Sequence, residues 1–292
     1  MSFVKRVVTL KLDYGTGSQG LEAPKAVELT GHRVSVSIDV SGGIGMGMAQ
    51  IRVWGMSLSL MNELSTLGQT VTLIRKNFVT VLAGDEGAAL SQVFQGTILA
   101  AWADMSAAPE VCFNITAGAG AFEAVQPFRP LSYTDSAKAE DVLSDLAGRA
   151  GLAFENNGAT AVLGGGPYFT GSARDQIMRV LDHARSEIIG VIDNGTLSIW
   201  PIGGYRAGAV PLLSPDTGMV GYPSYTATGL GVTSLFAPAV RFGALIEVQS
   251  SLTPACGQWQ VYKVIHDLEA ELPNGRWFTQ MQASKPGTIV VK

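Results

Sequence analysis

Three observations predict a mainly β chain with a small α+β module in its middle. Period-two alternation of apolar residues recurs toward both ends, as in Val34, Val36, Ile38 and Val40. Glycine accounts for 35 of the 292 residues, enough to supply many tight turns, while charged residues make up 15%. Helical periodicity is concentrated between residues 131 and 204. At this length two or three units are expected. The boundaries fall at 1–130 for a first β domain, 131–204 for the α+β module and 205–292 for a second β domain. So few charges on so β-rich a chain suggest faces covered by other chains.

In the first domain "FVKRVVTLKLDYG" and "VSVSIDV" read as strands, and Ile51 and Val53 alternate in "AQIRVWGMSL". A short helix is expected in "SLMNELSTLG", then a strand in "QTVTLIRKNFVTVLAGDEG", then two strands joined through "DMSAAPE". The unit is antiparallel, a barrel or a tight sandwich.

"QPFRPLSYTDS" is a Pro-containing connector, after which the period changes. Ala139, Val142, Leu143, Leu146, Ala147 and Ala150 fall on one helical face, with Ser136 as N-cap and Gly151 as stop. "LAFENNGATAVL" reads as a hairpin and "GGGPYF", residues 164–169, as a loop, suited to a linker or a subunit contact. A second helix presents Ala173, Ile177, Val180, Leu181 and Ala184, opened by Ser172 with Asp175. Asn194-Gly195 in "IIGVIDNGTLSIWP" marks a type I′ hairpin.

The last domain returns to β, with at least four strands. Residues 93–117 align without gaps against 259–283, pairing Ile98 with Val264, Trp102 with Leu268, Ile115 with Met281 and Ala117 with Ala283. Upstream, "LGQTVTL" resembles "FGALIEV". An internal repeat of the β unit is one account of this match, and chance similarity of two equal hairpins is the other.

The chemistry-bearing residues form no catalytic, cofactor or metal pattern. "SGGIGMGMA" runs from a strand into Gly43, Gly45 and Gly47, but another strand follows. A dinucleotide site needs a helix there, whose N-terminal amides hold the pyrophosphate. The stretch is therefore read as a connection between antiparallel strands. His32, His183 and His266 show no H-x-x-x-H spacing. Asp141 and Asp145 share a helix face, better explained as solvated than as a glycosidase pair. No serine lies in a G-x-S-x-G elbow. Cys112 and Cys256 are too far apart in sequence for a paired metal motif and read as buried free thiols. Phe236, Phe242, Tyr222 and Tyr225 stand in loop-like settings as core or interface.

The formal net charge of −4 argues against a duplex-binding surface or an anionic-membrane ligand. Residues 131–204 hold 5 basic against 9 acidic groups and so carry the whole imbalance. With no apolar leader and no run of eighteen apolar residues, the chain reads as soluble and made in the cytoplasm.

"QIRVWGMSLSLMNELSTLG", "DNGTLSIWP", "SPDTGMVGYPSYTATGLGVTSLFAPAVRFGALIEVQSS" and "GQWQVYKVIHDLEAELPNGRWFTQMQA" resemble the baseplate hub proteins of contractile-tailed bacteriophages, which are related to type VI secretion spike hubs. The resemblance implies two tail-tube-like antiparallel β-barrel domains flanking the α+β domain. It also implies a homotrimer whose ring joins the six-fold tail tube to the three-fold central spike and forms part of the DNA channel. Implied partners are the central spike protein, the tail tube or tube-initiator protein, the tape-measure protein and the baseplate wedge proteins. Genomic DNA would pass without specific binding, past a lumen in which acidic groups outnumber basic ones. The implied place is the virion tail baseplate, without membrane insertion, after assembly in the host cytoplasm. No enzymatic activity and no cofactor are implied. The alternatives are a peptidoglycan-degrading tail enzyme and a hexameric tail-tube or tube-initiator protein.

Overall fold

The computed structural model describes residues 4–14, 25–41, 47–65, 77–184 and 187–288. The chain opens with β1 (Arg6–Tyr14), β2 (Lys25–Thr30), β3 (Arg33–Ser41), β4 (Met48–Trp54) and α1 (Leu58–Leu64). Then come β5 (Phe78–Asp85), β6 (Ser91–Asp104), β7 (Cys112–Gly118) and the short α2 (Ala121–Val125). Alternation places Val34, Val36 and Ile38 of β3 and Ala49, Ile51 and Val53 of β4 in the core. β3 and β4 pair antiparallel from Arg33↔Trp54 to Asp39↔Met48, so the Gly-rich stretch does connect neighbouring strands. Gly43 and Gly45 lie outside the described residues, and Gly47 is buried. β2 and α2 go beyond the sequence expectation: one alternates over six residues among charges, and the other is too short to show a period.

The middle segment comprises β8 (Leu131–Ser132), β9 (Ala137–Lys138), α3 (Ala139–Ala150), β10 (Ala153–Asn156), β11 (Val162–Leu163), β12 (Tyr168–Phe169), α4 (Ala173–His183), β13 (Ile188–Asp193) and β14 (Thr196–Pro201). Ser136 is not the cap of α3. The helix starts later because Ala137 and Lys138 are held extended against Leu163 and Val162. Gly151 ends it with φ 77°, and Ser172 and Asp175 bond reciprocally at the start of α4. The hairpin expected at 152–163 does not form. β10 instead runs parallel to β14, while β11 pairs with β9. The Asn156 side chain, bonded to both N and O of Ala159, turns the chain without a partner strand. The β13–β14 hairpin turns at Asn194 and Gly195, φ 51° and 71°, as type I′ requires. Val142, Leu143 and Leu146 pack with Ile177, Val180, Leu197 and Ile199 as this segment's own core.

The last third holds β15 (Leu212–Leu213), β16 (Ser224–Thr226), β17 (Gly229–Leu235), β18 (Leu245–Val248), β19 (Gly257–Ala270) and β20 (Trp277–Ser284). These strands join those of the first third in a single sheet. Its hydrogen-bonded path runs β16-β17-β20-β19-β3-β4-β7-β6-β5-β1-β2, with β18 on β19 and β15 on β18. The two thirds meet at an antiparallel pairing of β3 with β19, from Ser41↔Lys263 to Val34↔Ala270.

Within this sheet one five-strand order occurs twice. The neighbours β3-β4-β7-β6-β5 are matched by β16-β17-β20-β19-β18, and each set follows the same order along the chain. The match extends to irregularities. Leu99 is an extra residue of β6 between the pairs Ile98↔Ala117 and Ala100↔Thr116, as Tyr262 is in β19 between Val261↔Ala283 and Lys263↔Gln282. Ile98 N donates to Asn77 O at 2.8 Å, and its counterpart Val261 N donates to Ala244 O at 2.9 Å.

This registration revises the gapless alignment. Ala117 with Ala283 and Ile115 with Met281 stand, but Ile98 corresponds to Val261 and Trp102 to Ile265. The slip is the hairpin tip: 105–111 lie between Asp104 and Cys112, against 268–277 between the equivalent Asp267 and Phe278, three residues more. "LGQTVTL" begins and ends outside the described residues, and the strand matching Ala244–Val248 is Asn77–Val81.

The sheet is curled. Leu10 and Leu12 of β1 and Val79 and Val81 of β5 share one core with Ile38, Ile51, Phe113 and Ile115. β1 thus returns beside the β19–β20 hairpin, where Arg6 Nη1 donates to Gly275 O at 3.2 Å and Lys5 Nζ lies 2.6 Å from Glu271 Oε1. Among the described residues this seam carries no strand pairing, so the path stays open. A second core, with Val232, Val264 and Met281, lies under the last third.

Candidate functional site

The side of the sheet away from both cores is one broad polar face. Strand registers fix it: Gln280, Ile265, Asp39 and Met48 stand in one row, and Phe278, Asp267, Ser37, Gln50 and Thr116 in the next. Ser35, Ser41, Asn114 and Gln282 extend the same surface. Hydroxyls and amides dominate, and the charges are largely paired. Lys263 Nζ lies 3.2 Å from Asp39 Oδ2, Ser37 Oγ donates to Asp267 Oδ1 at 2.8 Å, and Arg276 Nη2 donates to Glu269 Oε1 at 3.0 Å. Burial favours the neutral Glu269 carboxyl, but the bonds from the Arg276 backbone and guanidinium outweigh it and lower its pKa. On β20, β19, β3, β4, β7 and β6 and the turn entering β20 this face carries Asp39, Asp104, Asp267 and Glu269 against Arg33, Arg52, Lys263 and Arg276. The surface therefore neither attracts nor strongly repels a polyanion.

At the β16 end a shallow depression of about 200 Å³ is lined by Tyr222, Ser224, Thr233, Lys263, Gln280 and Gln282. Tyr222 and Tyr225 are 72% and 60% exposed and so lie outside the core, whereas Phe242 is buried at 3%. Phe236 packs edge-on to Trp277 and His266.

A buried ionic cluster fixes the middle segment on the sheet. Arg206, 3% exposed, donates its backbone N–H to Gly243 O and sends its side chain to Glu155 and Asp193. Nε and Nη2 reach the two oxygens of Glu155 at 3.0 and 2.9 Å, a bidentate pair. These bonds hold the Glu155 carboxyl down at about 2. Arg206 was not singled out from the sequence. Its partners come from β10 and β13, so no local spacing marks the cluster.

With this geometry in place, residues 8–274 match the family described as baseplate hub gp41. The chain belongs to the baseplate hub gp41 family. Its fold is shared with the 43 kDa tail protein of prophage MuSo2 from Shewanella oneidensis, at 8% identity over 97% of each chain and a TM-score of 0.59. The tail protein from Neisseria meningitidis MC58 matches at 12% identity over 97% of each chain, with a TM-score of 0.59. The E. coli c3393 protein, a component of the type VI secretion system, matches at 12% identity over 87% of this chain and 73% of that one, with a TM-score of 0.58. No curated protein matches the sequence. This is a structural family of phage tails, as the sequence resemblance implied.

In this hub protein the titratable residues weighed in the sequence are dispersed. His32 Nδ1 lies 3.2 Å from Trp54 O, and His183 Nδ1 2.7 Å from Arg179 O. His266 is buried with Nδ1 2.9 Å from Thr279 Oγ1, and loss of solvation lowers its pKa to about 4. Asp145 pairs with Arg149 at 3.4 Å along α3, and Asp141 is exposed. Cys112 and Cys256 are free and half-buried, more open than expected. Among the described residues no three His, Cys, Asp or Glu side chains gather as metal ligands. In the 164–169 loop Tyr168 is exposed, whereas Phe169 is fully buried.

Proposed function

We propose that the chain works as a ring of three copies at the tail baseplate, joining the six-fold tail tube to the three-fold central spike. The observation that carries this reading is the five-strand order occurring twice in one chain. Three copies then present six similar units, the arithmetic a three-to-six joint requires. Residues 1–130 and 205–292 act as two tail-tube-like barrel domains, with 131–204 as the α+β module between them. The curl of β19 to β1 around one core supports the barrel reading.

The polar face lines the DNA channel. Its hydroxyls, amides and paired charges suit the passage of DNA without capture, and its acidic and basic residues balance, without the acidic excess expected of the lumen. The rims meet the spike on one side and the tail tube or tube initiator on the other, with the tape-measure and wedge proteins as further partners. The role is architectural and the place is the virion.

Native mass spectrometry of the purified protein tests the reading. Three copies are expected. Six copies or an open polymer would indicate a tube protein, and clearing on a peptidoglycan zymogram would indicate a wall hydrolase.

A further inference from the structure

We infer that Asn274, at the tip of the β19–β20 hairpin, is the site of a spontaneous backbone modification, in which it closes onto Gly275 and reopens as isoaspartate and aspartate. The reaction needs no partner chain.

The chemistry starts from an Asn-Gly pair. The backbone nitrogen of the glycine, once it loses its proton to solvent, attacks Cγ of the asparagine side chain. A C–N bond forms, the side-chain amide leaves as ammonia, and a cyclic succinimide spans the two residues. Water then adds to either ring carbonyl and opens the ring. One opening gives aspartate, and the other gives isoaspartate, in which the chain runs through the side-chain carboxyl carbon. Nothing is oxidised or reduced, and water is the co-reactant. Glycine favours the attack because no side chain shields its nitrogen.

The sequence has three such pairs, Asn157-Gly158, Asn194-Gly195 and Asn274-Gly275. The fold holds two of them shut. Asn157 Nδ2 donates to Glu155 Oε1 at 3.0 Å and to Ile199 O at 3.1 Å, and its Oδ1 accepts from Ala207 N at 2.8 Å. Its side chain cannot swing toward Gly158 without breaking all of these bonds. Asn194 turns the β13–β14 hairpin against β6. Gln95 Oε1 stands 2.7 Å from where a Cβ of Gly195 would lie, and Asn194 Oδ1 is closed to solvent. The rotation that attack requires has no room there.

Asn274 differs on each count. It is exposed, and no described residue bonds its side chain. It lies beyond the last strand pair, Leu268↔Trp277, and beyond the bond from Glu269 N to Arg276 O. Gly275 N reaches Leu272 O at 3.2 Å, the long end of a hydrogen bond, with Pro273 and Asn274 (φ 56°) in the central places of a type II turn. Releasing this one bond frees the nucleophile.

The product forms on the seam between β1 and the hairpin. Gly275 O accepts from Arg6 Nη1, and Glu271 pairs with Lys5. Isoaspartate lengthens the backbone of a tight turn and places a new carboxylate next to Arg276, so it displaces the carbonyl that Arg6 holds.

The test ages the intact folded chain in warm, mildly alkaline buffer and digests it with trypsin, which leaves the three pairs in separate peptides, 150–174, 186–206 and 264–276. Isoaspartyl methyltransferase labelling with mass spectrometry should find isoaspartate in 264–276, and the protein should shift toward acid on isoelectric focusing. The same incubation in urea should convert all three peptides. Asn274→Gly keeps the turn, because glycine suits a positive φ at that place, and should melt as the parent does yet show no acidic shift. No conversion of 264–276, or conversion of 150–174 or 186–206 as fast in the folded chain, would overturn the inference. Failure of 150–174 and 186–206 to convert in urea would overturn the protection assigned to the fold.

Discussion

Arg206 Nη1 lies 3.0 Å from Asp193 Oδ2, while its other nitrogens grip Glu155, so one side chain from the last third ties two strands of the middle segment. Removing it leaves the nearly buried Asp193 and the partly exposed Glu155 facing each other without their shared cation. Arg206→Met should destabilise the protein by about 3 to 5 kcal/mol. Replacing Arg206, Glu155 and Asp193 together with apolar residues should recover much of that loss. Urea unfolding of the two variants makes the comparison.

Acid should loosen the fold in two stages. His266 has a folded pKa of about 4 against about 6.5 unfolded, so the unfolded chain binds the extra proton first. Its contribution is complete above pH ~6.5 and is lost as pH falls toward ~4, on the order of 3 kcal/mol. Glu155, lowered to about 2 by Arg206, contributes fully above the ordinary carboxylate range and loses that contribution down to pH ~2. In thermal melts across pH, His266→Gln should flatten the upper window and leave the lower one.

Gly243 marks a close approach between sheet and middle segment. Its φ is +80°, and a Cβ there would stand 2.6 Å from the Trp200 ring. Gly243→Ala should therefore lower the melting temperature, through both backbone strain and a displaced indole. Gly148, in the last turn of α3 with open space around it, is the control. Gly148→Ala should be neutral or stabilising by up to about 1 kcal/mol.

Changing the polar face should separate assembly from delivery. Ser37→Arg with Gln50→Arg and Thr116→Arg adds three cations in one outward-facing row. The protein should fold and assemble normally, because none of the three side chains enters a core. Particles carrying it should release DNA more slowly, read by the rate of dye-accessible DNA after triggered ejection. Unchanged release would argue against this face lining the channel.

The sequence made some features legible and hid others for physical reasons. Ser172 with Asp175, Gly151 and Asn194-Gly195 were readable because a cap, a stop and a type I′ turn each depend on a few adjacent residues. The start of α3 was misplaced because Ala137 and Lys138 obey a distant strand, Val162–Leu163, rather than the local cap signal. Glu155 and Arg206 are 51 positions apart, and no periodicity links them. The repeat was visible in outline. Its three-residue slip lies in the hairpin tip and shows once the equivalent bulges at Leu99 and Tyr262 are matched, because the gapless match sets exposed Trp102 against fully buried Leu268. A rule that paired positions must face the same side would have found it.

The longer tip of the β19–β20 hairpin breaks the likeness of the two halves at one place. Around a ring of three chains the sheet wall would repeat every sixty degrees, but its fingers would alternate short and long. One rim would thus look six-fold to a shallow partner, and three-fold to one that reached the fingertips. A few extra residues at a turn are enough to let a single ring be counted in two ways.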